Sequence, residues 1–211
     1  LNPDVILKKN TIEEIIIASK KIDNFGLIAP ISDDLKNPNY IINKKSELPN
    51  FIDPFKVESV DGFAMILNLR KLKKIDQFKD NNFFDENIFL YLENDDLCKR
   101  IRKYENIFIV PKSKINHLGA SGVNKKYSEQ IELSRNWHWM WSKFYFNKKH
   151  YGYLNAIIKN FPSLISSKIK FIYYLIIFNS HKKKIYKMRF MGLFFSMLGK
   201  NISNPKSLVG A

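Results

Sequence analysis

Three short stretches carry residues able to do chemistry. In YLENDDLCKR, residues 91–100, one amide and three carboxylates follow one another as Glu93, Asn94, Asp95 and Asp96, between an aromatic run and a basic stretch. In LNPDV the oxygen-bearing side chains of Asn2 and Asp4 flank the stiff backbone of Pro3. In IVPKSKINHLGASG, His117 follows an apolar, strand-like run and precedes a glycine-containing loop. Carboxylates accept protons and hold hard divalent cations, and imidazole can do either. Each stretch also has a plain structural reading. Asn-Pro-Asp is common turn chemistry, and a lone histidine is more often structural than a ligand. Asn94 would cap a helix, with Asp95 and Asp96 favoured at its positive end.

These residues need elements to position them. NTIEEIIIASKKI (10–22) reads as a helix, with Thr11 and Glu14 at capping-box spacing and Ile12, Ile15, Ile16 and Ser19 on one face. FGLIAPIS (25–32) reads as a short buried strand, and residues 33–50 as a loop with one strand at YII. VESVDGFAMILNL (57–69) reads as a strand interrupted at Gly62, where backbone or ligand approaches closely, followed by a helix-prone segment. DDLCKRIRKYE is an amphipathic helix with Leu97, Ile101 and Tyr104 on one side, and NIFIVP (106–111) a strand stopped by Pro111. From about Lys126 onward the pattern is helical, with a break near Gly152. An α/β core with a helical C-terminal appendage is the expected fold class, divided as 1–150 and 151–211.

Composition sets outer limits. The chain has 211 residues, 45% hydrophobic and 26% charged, so it can bury a core and is not a disordered chain. Its single cysteine, Cys98, excludes an intrachain disulfide framework and fits a reducing cytoplasm. The net charge of +15 favours anionic partners, namely nucleic acid, an anionic membrane surface or phosphorylated substrates. LISSKIKFIYYLIIF (164–178) is interrupted by Lys168 and Lys170 and is shorter than the roughly 20 apolar residues of a membrane span. It is either an interfacial helix over anionic lipid or a core helix with a solvated basic face.

Taken in order, LNPDV, VDGFAMILNLR, FDENIFLYLENDDLCKRI, VPKSKINHLGASG and SRNWHWMWSKFYF resemble the rhamnosyltransferase-like family 2 glycosyltransferases, over roughly residues 1–150. The resemblance implies a GT-A fold, a Rossmann-like α/β domain that transfers sugar, with inversion, from a nucleotide-diphosphate-sugar to a saccharide or lipid-linked saccharide. A deoxyhexose such as rhamnose is the sugar it points to, and cell-surface polysaccharide assembly the setting. Asn2-Pro-Asp4 stands at the family's metal-binding element, so Asp4 would hold Mg²⁺ or Mn²⁺ and Asn2 would lie at the nucleotide end. His117 stands at the family's histidine, a ligand for metal or diphosphate. Such a cation suits carboxylate, phosphate and water, and Mn²⁺ also accepts imidazole.

The family's base position is occupied here by Asn94, an amide that cannot accept a proton at neutral pH. Three outcomes stay open: Glu93, or else Asp95, takes over as base; the protein is slow or inactive; or Asn94, Asp95 and Asp96 simply start a helix. Glu93 is the preferred base, with Asp95 and Asp96 beside it. Asp61 and Gly62 fall in the family's segment between donor and acceptor, and Arg135 and Asn136 match its Arg-Asn pair after the histidine loop. Arg135 would face diphosphate or bridge to the core. Trp137, Trp139 and Trp141 alternate, so they cannot share one helical face. The resemblance further implies βα units before Leu1 that hold the nucleobase, so this chain alone is expected to bind nucleotide-sugar poorly. It also implies a cytoplasmic protein, with peripheral association on the inner face of the plasma membrane as an option. The competing class is a basic module without chemistry that binds anionic membrane or nucleic acid. Nucleic acid is the weaker of these partners, because basic residues are spread along the chain and charge leaves the acidic ENDD unexplained.

Overall fold

The computed structural model describes residues 1–34, 36–42, 49–119 and 127–200. Two compact units share the chain: Leu1–Asp85 with Asn94–Gly122, and Glu86–Glu93 with Val123–Ala211. The first is a mixed α/β unit, the second helical. Position 150 falls one residue before the end of a long helix in the second unit, so the compact units do not divide there.

In the first unit the elements run β1 (Val5–Leu7), α1 (Thr11–Lys21), β2 (Phe25–Ser32), β3 (Phe55–Lys56), β4 (Ile66–Leu67), α2 (Leu69–Leu72), α3 (Glu93–Ile101) and β5 (Asn106–His117). The sheet order is β1-β5-β2-β4, with β3 also on β5. Only β2 and β5 pair in parallel; the other pairs are antiparallel. The central strands read as continuous apolar runs because both of their faces are covered. Leu27, Ala29, Ile107 and Ile109 pack with Leu72, Leu97, Cys98 and Ile101 of α2 and α3. Ile28, Phe108 and Val110 pack with Ile15 and Ala18 of α1. Gly26 permits the close approach of α3: a Cβ there would lie 2.6 Å from Ile101 Cγ2 and 2.9 Å from Glu105 Cβ.

Three local expectations are corrected. Thr11 does not form a capping box; it is buried, and its hydroxyl lies 2.8 Å from the Lys8 carbonyl and 2.5 Å from that of Lys114, tying the helix start to β5. The buried face of α1 is therefore Thr11, Ile15 and Ala18, while Ile12 and Ile16 are exposed. Strand β5 does not stop at Pro111 but runs on to His117. The register with β2 jumps from Pro30–Val110 to Ile31–Lys114, and the irregularity accommodates a residue that cannot donate to the ladder. The 57–69 stretch holds only the two-residue β4, with Asp61 to Ala64 in a turn region.

The helical unit contains α4 (Ser128–Tyr151), α5 (Tyr153–Ile176) and α6 (Ser180–Met197). Gly152, at φ +83°, breaks α4 from α5 where the sequence indicates a break. Trp137 and Trp141, four residues apart, stack with centroids 6.4 Å apart and pack with Leu133 and Met188. Trp139 points elsewhere and is exposed. Residues 86–93 belong to this unit because the Ser142 hydroxyl donates to the Leu90 carbonyl at 2.8 Å and Phe89 lies against His138. Tyr91 and Leu92 both adopt φ +68°, a conformation that costs non-glycine residues energy, immediately before α3 begins.

Candidate functional site

The β1–β5 pairing brings the first and last strands of the first unit together. Val5 stands opposite His117, so Asp4 arrives beside the imidazole, and Asp4 Oδ2 lies 3.2 Å from His117 Nε2. The Leu118 amide donates to the Asp4 carbonyl at 3.0 Å and closes the end of the ladder. His117 stacks on Phe63, with centroids 4.1 Å apart and planes 15° from parallel, which fixes the ring. The Asn2 amide donates to the Phe63 carbonyl at 2.8 Å, so the NPD segment and the turn after Asp61 are joined.

The first turn of α3 fastens that same turn from the other end. The Asn94 side-chain amide donates to the Val60 carbonyl at 2.8 Å, and the Ser59 hydroxyl donates to Asp95 Oδ1 at 2.7 Å. Cys98, one turn on, is wholly buried; burial pushes its thiol up to about 11, partly offset by contacts with the Val60 backbone and Ser59. Asp61, between Val60 and the exposed Gly62, is half-buried. Burial and the like charge of Asp95 push its carboxyl above the ordinary value, and the charge of His117 pulls it partway back. Asp4, Asp61, Asp95 and His117 thus belong to one electrostatic neighbourhood drawn from four stretches of chain.

The remaining expected residues are placed differently. Asp96 is fully buried and accepts from Arg100 Nε at 2.8 Å, one helical turn away, so it is a structural carboxylate and not part of an open site. Arg100 in turn donates to the Asn82 and Phe83 carbonyls and lies over the Phe78 ring. The sequence missed this because helical periodicity gives Asp96 the same turn as Asp95 but not which of them faces inward. Glu93 is the first residue of α3 and belongs, by its contacts, to the helical unit. Arg135 and Asn136 also lie in the helical unit, beside Tyr91, Trp139 and Arg189 in a hollow of about 300 Å³. There Arg189 donates to Asn136 Oδ1 at 3.2 Å. Residues 120–122 of the loop after His117 lie outside the described residues.

Among the described residues no group of three or more His, Cys, Asp or Glu side chains is arranged to hold a metal ion. Asp4 and His117 supply a two-donor set. At 3.2 Å the two contact each other directly, at the distance of an Nε2–H···O pair. Among the described residues no helix is long and apolar enough to cross a membrane. No protein-family model matches the chain, and no curated protein shows significant similarity to it.

Proposed function

We propose that the α/β unit is the metal- and acceptor-side part of a GT-A-like, inverting glycosyltransferase. Its donor is a nucleotide-diphosphate-sugar and its acceptor a saccharide or lipid-linked saccharide. The single observation that supports this reading best is the convergence of Asp4, Asp61, Asp95 and His117 from four separated stretches on one neighbourhood. Chance placement of an NPD turn, a post-strand histidine and an acidic helix start gives no reason for them to meet.

The residues divide the work as follows. Asp4 and His117 would hold the divalent cation, Mg²⁺ or Mn²⁺, with Asn2 at the nucleotide side of that pair. When bound, the cation supplies positive charge against the diphosphate leaving group. Asp61 is the general-base candidate: it is half-buried on the turn that Asn94 holds, in the same neighbourhood as Asp95 and the Asp4–His117 pair. Asp95, held by Ser59, supplies a neighbouring negative charge. Glu93, one residue before Asn94, is the alternative base. Asn94 does not transfer protons and instead fixes the loop that carries Asp61.

The test is paramagnetic NMR on the 211-residue chain, titrated with Mn²⁺ alone because this chain is expected to bind nucleotide poorly. Signals of Asp4, Asp61 and His117 should broaden first, and the broadening should vanish in Asp4→Asn/His117→Ala. Broadening that is strongest elsewhere, or that survives the double substitution, overturns the metal assignment. With a complete transferase, Asp61→Asn should abolish transfer while Glu93→Gln retains it; the reverse outcome moves the base to Glu93.

A further inference from the structure

Helix α5 carries a face that the described residues of its own unit leave uncovered. Its buried residues Ala156, Asn160 and Ser167 lie on one side of the helix. At about 100° per residue, Leu154, Ile158, Phe161, Ile165, Ile169 and Ile172 fall on the opposite side. All six are exposed, between 39% and 75%. They form an apolar ridge about 27 Å long. The ridge leads into residues 175–178, Leu-Ile-Ile-Phe, where Phe178 is 92% exposed at the corner before α6. Monomeric proteins rarely leave so continuous an apolar surface without a use.

The charge around the ridge names the partner. From Leu133 to Ala211 the sequence has 14 Lys and Arg residues and not one Asp or Glu. Lys168 flanks the ridge on one side and Lys159 on the other, by their helical positions, while Lys170 lies over Tyr186 of α6; just past Phe178, α6 begins with Lys182, Lys183 and Lys184, of which Lys182 lies over Tyr174 and Lys184 pairs with Glu129. A second copy of the chain would bring the same positive face against itself, and the carboxylates that reach α6, Glu129 and Glu132, are already engaged by Lys184 and His181. A nucleic acid would satisfy the lysines but leave an isoleucine ridge wet, since bases stack on aromatic rings rather than on aliphatic side chains. Neither helix is long and apolar enough to span a bilayer.

We infer that α5 and the α5–α6 corner bind the surface of an anionic lipid bilayer, with the ridge lying parallel to it at the boundary of head groups and acyl chains and the lysines among the lipid phosphates. Aliphatic residues on one face with lysines at its flanks are the composition such helices require. The inference uses only the helical unit and stands apart from the transferase reading, which a failure here would leave intact.

Vesicle co-sedimentation of the 211-residue chain tests it. Binding to vesicles of phosphatidylcholine with phosphatidylglycerol should be strong and salt-sensitive, and binding to phosphatidylcholine alone weak. Lys182→Gln/Lys183→Gln should weaken binding about 25-fold, at about fivefold per lysine. Ile158→Ser/Ile169→Ser, at exposed positions where folding is little affected, should weaken it by about tenfold or more per residue. Three results would overturn the inference: equal affinity for neutral and anionic vesicles, retained binding in the isoleucine variant, or no vesicle binding alongside a dimer by light scattering that the isoleucine variant dissociates. Binding to a single-stranded oligonucleotide as tight as to anionic vesicles, and unchanged in the isoleucine variant, would assign the lysines to nucleic acid instead.

Discussion

Placing an acid at position 94 is the sharpest probe of what this residue does. In Asn94→Asp a carboxylate oxygen replaces the amide nitrogen that donates 2.8 Å to the Val60 carbonyl. The hydrogen bond, about 1 kcal/mol net, is lost, and a carbonyl on a wholly buried residue is left facing another acceptor, which costs about 1–3 kcal/mol. A carboxylate in the first turn of α3 recovers about 0.3–1 kcal/mol from the helix dipole. The net cost at pH 7 is about 1–3 kcal/mol, and for a chain of this size melting falls by roughly 2–4 °C per kcal/mol. The pH dependence gives the mechanism away. Once protonated, the new carboxyl can donate to Val60, so folding favours the protonated form and the native pKa lies above the unfolded value. The variant's deficit is therefore full at pH 7 and shrinks as pH falls through that native pKa toward the unfolded one. Asn94→Ala, which loses the donor without adding charge, should show a deficit independent of pH. Thermal melts of the three proteins at pH 4 and pH 7 decide it. If Asn94→Asp matches the parent at pH 7, or if its deficit is the same at both pH values, the amide's contact with Val60 is not what fixes the residue.

Two more expectations concern the neighbouring carboxylates. Asp61 has its native pKa raised above the ordinary 3.8, so its ionisation weakens the fold as pH rises through the two values; Asp61→Asn should melt higher than the parent at pH 7 and equal to it well below pH 3.8. A lower melting temperature at pH 7 would show that Asp61 supports the fold. Asp96→Ala leaves Arg100 buried without its counter-charge and should cost about 3–5 kcal/mol in urea unfolding, and Asp96→Leu/Arg100→Met should recover only part of the loss, because the Asn82 and Phe83 carbonyls lose their donor. A cost below about 1 kcal/mol for Asp96→Ala would mean that the pair is solvated.

Much of the order and kind of elements is legible in the amino-acid sequence alone. β2 follows its apolar run from Phe25 to Ser32, α3 begins at the ENDD stretch, and Gly152 separates two long helices. These are properties of local composition and period, which act over a few residues. Position within a helix is legible only in part. The alternation of Trp137, Trp139 and Trp141 implies that they part company, and they do. The inward face of α1 differs from the expected one, because a run of four apolar residues offers more than one stripe.

The site itself belongs to long-range pairing. Nothing local to LNPDV says that β1 will lie against the end of β5, and that pairing alone sets Asp4 beside His117. Pro111 has a missing donor that reads as a stop in isolation; a register jump opposite Ile31 lets the strand continue to the histidine. The ENDD stretch shows the division most plainly. Its sequence determined a helix start rich in carboxylates, favoured by the helix dipole; the expected Asn94 cap does not form, because Asn94 lies inside α3 and its side chain donates to Val60. Only tertiary packing decided that Asp96 turns inward to Arg100, that Asp95 turns to Ser59, and that Asn94 must be a donor because a buried carbonyl meets it. Those choices depend on which partners arrive from elsewhere in the chain, and no local pattern encodes that arrival.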